Sequence, residues 1–126
     1  MSEVVYDAGV LVAADRNDRS IWAEHRARLE VGLSPVTTGL VVAQVSRSPR
    51  QAQLRRFLRG CDIVGFHPDQ GHQVGALIER SGHTDVVDAH LAVTTANASG
   101  IVITSDPKDL QVLANHTDKP IDIVAI

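Results

Sequence analysis

Five aspartates are placed where they can do chemistry together. Asp7 stands between two apolar runs, Val4-Val5-Tyr6 and Ala8-Gly9-Val10-Leu11. Asp85 and Asp88 are three residues apart, and so are Asp106 and Asp109. Carboxylates that converge repel each other, so either their pKa values rise or a cation compensates them. A set of oxygen ligands suits Mg²⁺ or Mn²⁺. Such an ion keeps several waters and commonly meets a phosphate, which implies hydrolysis of a phosphate ester by water. Each aspartate also has an ordinary structural reading. Asp85-x-x-Asp88 is what a helix start looks like, Asp106 before Pro107 suits an N-cap, and Asp109 then falls in a favourable first turn. Asp7 is the most telling, because a serine would meet any capping need there.

Convergence depends on the elements that carry these residues. Val4–Tyr6 is a short apolar run that fits a buried strand, and Gly9–Ala14 a short helix. Ser20–Val31 has helical propensity and is closed by Gly32, and Val36–Thr37 is a strand. Thr38 suits the cap of a helix over Leu40–Arg47. Ser48 at N-cap, Pro49 at N1 and Gly60 past the end mark a helix over Pro49–Arg59. Strand Asp62–Phe66, helix Asp69–Arg80, helix Asp85–Ser99 and strand Ile101–Thr104 follow. Helix Pro107–Asn115 and strand Ile121–Ile126 complete the order. Continuous apolar strands alternating with helices predict a parallel sheet covered on both faces. The fold class is α/β, a three-layer α/β/α arrangement around a central, mostly parallel five-stranded sheet, in one domain spanning 1–126. Chemistry in such folds sits at the carboxyl ends of the strands. The helix from Asp88 descends about 18 Å, and the strand up to Ser105 climbs back about 16 Å. Asp88 and Asp106 therefore return to one level, at the same edge as Asp7.

Composition narrows the class. The 126 residues hold 12 Lys+Arg and 15 Asp+Glu, a net charge of −3, which excludes a generic polycation. The few aromatics (Tyr6, Trp22, Phe57, Phe66) argue against a base-stacking platform. One cysteine, Cys61, excludes an internal disulfide and a Cys-rich zinc site. The apolar runs are too short for a membrane span, and Asp7 breaks the first one, so neither a transmembrane helix nor a signal peptide is expected. A cytoplasmic address is the expectation. The six histidines show no zinc spacing; His90 reads as core or surface, and His83 is near enough to the acidic helix to reach the rim of a site there.

These motifs resemble the PIN-domain ribonucleases, in particular the VapC-type toxins of type II toxin–antitoxin pairs. The resemblance is carried by Val5-Tyr6-Asp7-Ala8-Gly9-Val10-Leu11, by Asp88-Ala89-His90-Leu91-Ala92, by Ile103-Thr104-Ser105-Asp106 and by Asp109-Leu110. It covers the whole chain and implies a PIN-like fold and a metal-dependent endoribonuclease that cleaves RNA phosphodiesters with metal-activated water. It also implies Mg²⁺ or Mn²⁺ as cofactor, a homodimer, and inhibition by a cognate VapB-type antitoxin. By this reading Asp7, Asp88 and Asp106 are the catalytic metal ligands, and Asp85 and Asp109 are auxiliaries. Thr104 is expected to hydrogen-bond within the carboxylate cluster. One departure stands out: the family's Glu-Val pair after the second strand reads here as Gln44-Val45. Gln44 brings no charge and reads equally as a buried structural amide, so Asp85 is expected to supply part of the missing charge.

The net charge hides a split. Residues 1–59 hold nine arginines against six acids, net +3, and residues 60–126 hold three basic residues against nine acids, net −6. Arg47, Arg50 and Arg55, with Arg56 and Arg59, lie in a stretch free of acids, a candidate path for RNA phosphates. A solvated face is the plain alternative. Leu54, Phe57 and Leu58 on the same helix suit either the core or a dimer seam. The rival function is a catalytically weak PIN-like module that binds RNA or protein. A receiver-like phosphoacceptor fails, because the third strand ends at Phe66-His67-Pro68 and nothing basic follows Ile126.

Overall fold

Short, mainly apolar strands, all but the last followed by a helix, pair as a parallel sheet with helices covering both faces. The computed structural model describes residues 3–126. The elements run β1 (Val4–Tyr6), α1 (Ala8–Asp15), α2 (Arg19–Glu30), β2 (Val36–Thr38), α3 (Gly39–Val45) and α4 (Ala52–Leu58). They continue with β3 (Asp62–Val64), α5 (Gln70–Ser81), α6 (Val86–Asn97), β4 (Ile101–Thr104), α7 (Pro107–Ala114) and β5 (Asp122–Ala125). The strand order is β3-β2-β1-β4-β5 and every pairing is parallel, so the sheet is wholly rather than mostly parallel. The three-layer α/β/α architecture expected from the sequence is the one observed.

This order places the topological switch point between β1 and β4. The chain runs outward from β1 through β2 to β3, then crosses back to lay β4 against the other side of β1. The carboxyl edge at such a switch point is where open α/β sheets bind ligands. Asp7 leaves β1 and Asp106 leaves β4.

Two apolar clusters hold the layers. One gathers β1, α1, α2, α4 and the inner face of β4, with Tyr6, Leu11, Trp22, Phe57 and Val102. The other joins α5, α6 and α7 through Val74, Leu77, Ala92 and Leu113. Phe57 lies at the centre of an aromatic group: its ring stacks on His25 at 3.9 Å and meets Tyr6 at 5.4 Å and Trp22 at 5.1 Å. Leu54 and Phe57 are thus core residues, and the partly buried Leu58 packs against the same cluster.

Several boundaries differ from the sequence expectation. The fourth helix begins at Ala52 rather than Pro49, because Gln51 braces the preceding loop. Its Oε1 accepts from the backbone N–H of Arg47 and Ser48, and its Nε2 donates to Val45 O and Asp15 Oδ2. The Ser48 hydroxyl closes only a local turn, accepting from Arg50 N. The third strand stops at Val64, two residues short of Phe66. The long acidic helix ends at Asn97 rather than Ser99, and Ser99 itself, at φ 50°, makes the left-handed turn that closes it. Gly100 is instead needed for closeness: a Cβ there would lie 2.9 Å from the Glu3 carbonyl oxygen.

Candidate active site

Asp7 is fixed by its position at the end of the central strand. It is the N-cap of α1, with one carboxylate oxygen accepting from Ala8 N at 2.7 Å. The other accepts from the Thr104 hydroxyl at 2.6 Å. Asp7 is buried. The expected place of Thr104 inside the cluster is therefore what the structure has. The same hydroxyl accepts from Asp106 N at 2.9 Å, so one buried side chain ties the end of β1 to the loop leaving β4. Gly9 lets these loops approach. A Cβ at Gly9 would overlap Ser105 Oγ and come within 2.6 Å of Ser105 Cβ, next to Asp106.

The other aspartates divide by what their carboxylates already do. Asp85 is a true N-cap: its Oδ1 accepts from Val87 N at 2.8 Å and Asp88 N at 3.2 Å, and the residue is exposed. It contributes charge to its neighbours from that position. Asp106 occupies the N-cap position of α7 but makes no side-chain cap bond, so its carboxylate is not spent on the helix. Asp88 sits one turn into α6, half-buried, with its Oδ2 3.1 Å from His83 Nε2. Asp109 lies in the first turn of α7, beside Asp106.

The electrostatics show that these groups meet. Burial pushes the Asp88 carboxyl above the usual range; the His83 hydrogen bond opposes this, and Asp85 and Asp7 add to it. Asp109 is also pushed up, first by its side-chain contact with Asp106 and then by their mutual repulsion. Among the described residues, the only ion-pair partner of these five carboxylates is His83; the remaining bridges join Arg28 to Glu24 and Arg80 to Asp118. Crowded oxygen donors with no lysine or arginine to balance them fit a divalent cation. His83, Asp88 and Asp109 bring ligand atoms within 4.8 Å of one another. Asp88 is thus shared between this group and the trio read from the sequence.

His83 is the residue that sequence reasoning undervalued. Its signal was position: it follows the left-handed Gly82 (φ 73°) and precedes the Asp85 cap by two residues. That turn brings the imidazole back over the first turn of α6. Gln44, by contrast, is an exposed residue of α3 rather than a buried amide. His90 is core, with Nε2 3.0 Å from Gln70 Oε1.

The arginines are set apart from the edge. Arg47 turns its guanidinium onto the Ala43 and Ser46 carbonyls, closing α3. Arg50 and Arg55 are exposed. The Gln51–Asp15 bond anchors this segment to the far end of α1, about 12 Å along the helix from Asp7. No helix among the described residues is long and apolar enough to cross a membrane.

No family model matches the chain, and no curated protein matches it. Solved structures do. A chain of the crystal structure of VapBC2 from Rickettsia felis, bound to a DNA fragment from their promoter, superposes with a TM-score of 0.72 over 98% of both chains at 17% identity. PAE2754 from Pyrobaculum aerophilum superposes with a TM-score of 0.61 over 96% of this chain and 89% of its own, also at 17% identity. The motif resemblance in the sequence is therefore met by a likeness of fold, and the chain shares over nearly its whole length the PIN-like α/β/α fold of these two structures.

Proposed function

We propose that this protein is a VapC-type endoribonuclease toxin that uses Mg²⁺ or Mn²⁺ to hydrolyse RNA phosphodiesters. One observation carries the reading: Asp7, Asp88, Asp106 and Asp109 are gathered at the switch-point edge, two of them with raised pKa values and none with an Arg or Lys partner. Asp7, Asp88 and Asp106 would hold the ion, with Asp109 beside them and Asp85 adding charge from the α6 cap. A bound divalent ion supplies Lewis acidity and a water of lowered pKa for in-line attack on phosphorus.

The chain's own groups do the rest. The Ala8 amide and the Thr104 hydroxyl orient Asp7, each using one lone pair and leaving others for a ligand. Thr104 also fixes the backbone at Asp106, which sets the spacing between the two strand ends. Such hydrogen bonds hold charged groups in place before substrate arrives. Arg50 and Arg55 are free to meet RNA phosphates, while Arg47 is already engaged by backbone carbonyls.

The partner proposals follow the VapBC2 structure, which holds a VapBC complex on promoter DNA. We assign this chain a VapB-type antitoxin partner, a homodimeric state and a cytoplasmic setting. The Gln44 substitution favours a second reading, an RNA- or protein-binding module with weak activity, because an exposed amide supplies no charge. RNA cleavage with Mg²⁺ or Mn²⁺ separates the two. Wild type should cleave and Asp88→Asn should fall by about a hundredfold or more, the scale of losing an oriented charge in an active site. Equal cleavage by both proteins, or none by wild type, favours the binding module.

A further inference from the structure

We infer that His83 is a direct metal ligand, so that the site is a mixed nitrogen–oxygen centre that takes Mn²⁺ in preference to Mg²⁺. The inference rests on the metal-dependent reading above and adds the identity of a ligand and of the ion.

The geometry starts from the turn that closes α5. Gly82 is left-handed, and the His83 backbone N–H is held by the Ser81 hydroxyl at 3.1 Å. These fix the imidazole over α6, where only 17% of the side chain is exposed and 20% of the Asp88 side chain. Nε2 points at Asp88 Oδ2, and Asp109 offers a carboxylate oxygen within 4.8 Å of both. Two carboxylate oxygens and an imidazole nitrogen, from the turn before α6, from α6 and from α7, thus lie close together. Each is the kind of atom a divalent ion takes; ligands about 2.0–2.2 Å from one ion lie at most about 4.4 Å apart, so a shift of a few tenths of an ångström closes this group, spread within 4.8 Å, around an ion.

Ligand chemistry then decides the ion. Mg²⁺ favours an all-oxygen shell and gains little from imidazole, whereas imidazole suits transition metals and carboxylates suit Mn²⁺ as well as Mg²⁺. The exposed Gln44 contributes no charge to the edge. His83 brings a nitrogen donor to an ion at an edge whose other donors are carboxylate oxygens.

Electron paramagnetic resonance of Mn²⁺ tests this without reference to activity. Wild-type protein with Mn²⁺ should show nitrogen coupling from a bound imidazole in the electron spin echo. In His83→Gln, which keeps a hydrogen-bond donor near Asp88, that coupling should vanish. Mn²⁺ affinity should fall about tenfold or more while Mg²⁺ affinity, read by competition, changes little. Mn²⁺ binding that is weakened by Asp106→Asn but shows no nitrogen coupling in wild type overturns the inference and leaves the metal-dependent reading standing. A His83→Gln loss equal for Mn²⁺ and Mg²⁺ assigns His83 a positioning role and likewise overturns it. No Mn²⁺ binding by wild type at millimolar ion overturns both.

Discussion

The aromatic group beneath α2 and the carboxylate edge above β1 both contain a histidine–oxygen contact, buried in the first and part-buried in the second, and they resolve it in opposite ways. In the first, the Tyr6 hydroxyl lies 2.9 Å from His25 Nδ1 and also accepts from Arg28. Burial lowers the His25 pKa and lifts that of Tyr6 to about 12, so both stay neutral and each polar atom has a partner. In the second, His83 meets Asp88, but Asp85 and Asp7 act on the same carboxyl, with no other cationic partner among the described residues. A core polar group that is satisfied within the chain contributes to folding alone. A polar group left with unbalanced charge, at the start of a helix beside the carboxyl ends of the strands, is set up for something from outside.

The comparison breaks most sharply in the core. Phe57→Ala removes the ring that His25, Tyr6 and Trp22 all contact, and should cost about 3–5 kcal/mol in unfolding free energy. Urea denaturation reads this directly. Where the variant is folded, its Mn²⁺ affinity should match wild type; a parallel loss of metal binding would mean the two regions are not separable.

Thr104→Val addresses the hinge between them. The substitution keeps shape and removes the hydroxyl that Asp7 accepts from and Asp106 donates to. A hydrogen bond to a charged group is worth about 1.5–3 kcal/mol, and the buried Asp7 carboxylate loses one. We expect destabilisation in that range, and a fall of about tenfold in cleavage and in ion affinity together, as for groups that orient metal ligands. Destabilisation with unchanged ion affinity would place Thr104 in the fold only.

How much of this was legible in the sequence follows from the range of each interaction. The order of elements, the parallel sheet and the meeting of Asp7 with Asp106 depend on short-range signals and on element lengths, and these are written residue by residue. The fate of each carboxylate is not. Asp85 and Asp106 both precede helices, yet only Asp85 makes the cap bond; Asp106 takes an unusual backbone geometry (φ −129°, ψ 69°) because Thr104 holds its amide. The start of α4 was misplaced because Gln51 bonds Asp15, 36 positions away, and no local pattern announces such a contact. His83 was undervalued for the same reason: its meeting with Asp109 joins α7 to a turn before α6.

The smallest expected effect is also the one that tells the regions apart by sign. His25 has a lowered pKa, so it contributes stability above its ordinary value near 6.5 that is lost as pH falls through the lowered folded value. Asp88 has a raised pKa, so its contribution is fully present below the ordinary 3.8 and is lost as pH rises through the raised folded value. In metal-free protein above that raised value, Asp88 is ionised against burial and the Asp85 and Asp7 carboxylates. Asp88→Asn removes that charge and should make the metal-free protein slightly more stable than wild type. Its advantage should shrink as pH is lowered from 7 towards 4, because wild-type Asp88 regains a proton in the folded state. Saturating Mn²⁺ at pH 7 should reverse the order, since the ion stabilises only the chain that retains its ligand. Urea melts of both proteins at three pH values, with a chelator and then with Mn²⁺, check each step. An advantage for Asp88→Asn that is flat with pH would mean the carboxylate is not held above its ordinary range. A failure of Mn²⁺ to reverse the order would separate the charge imbalance at this edge from any ion.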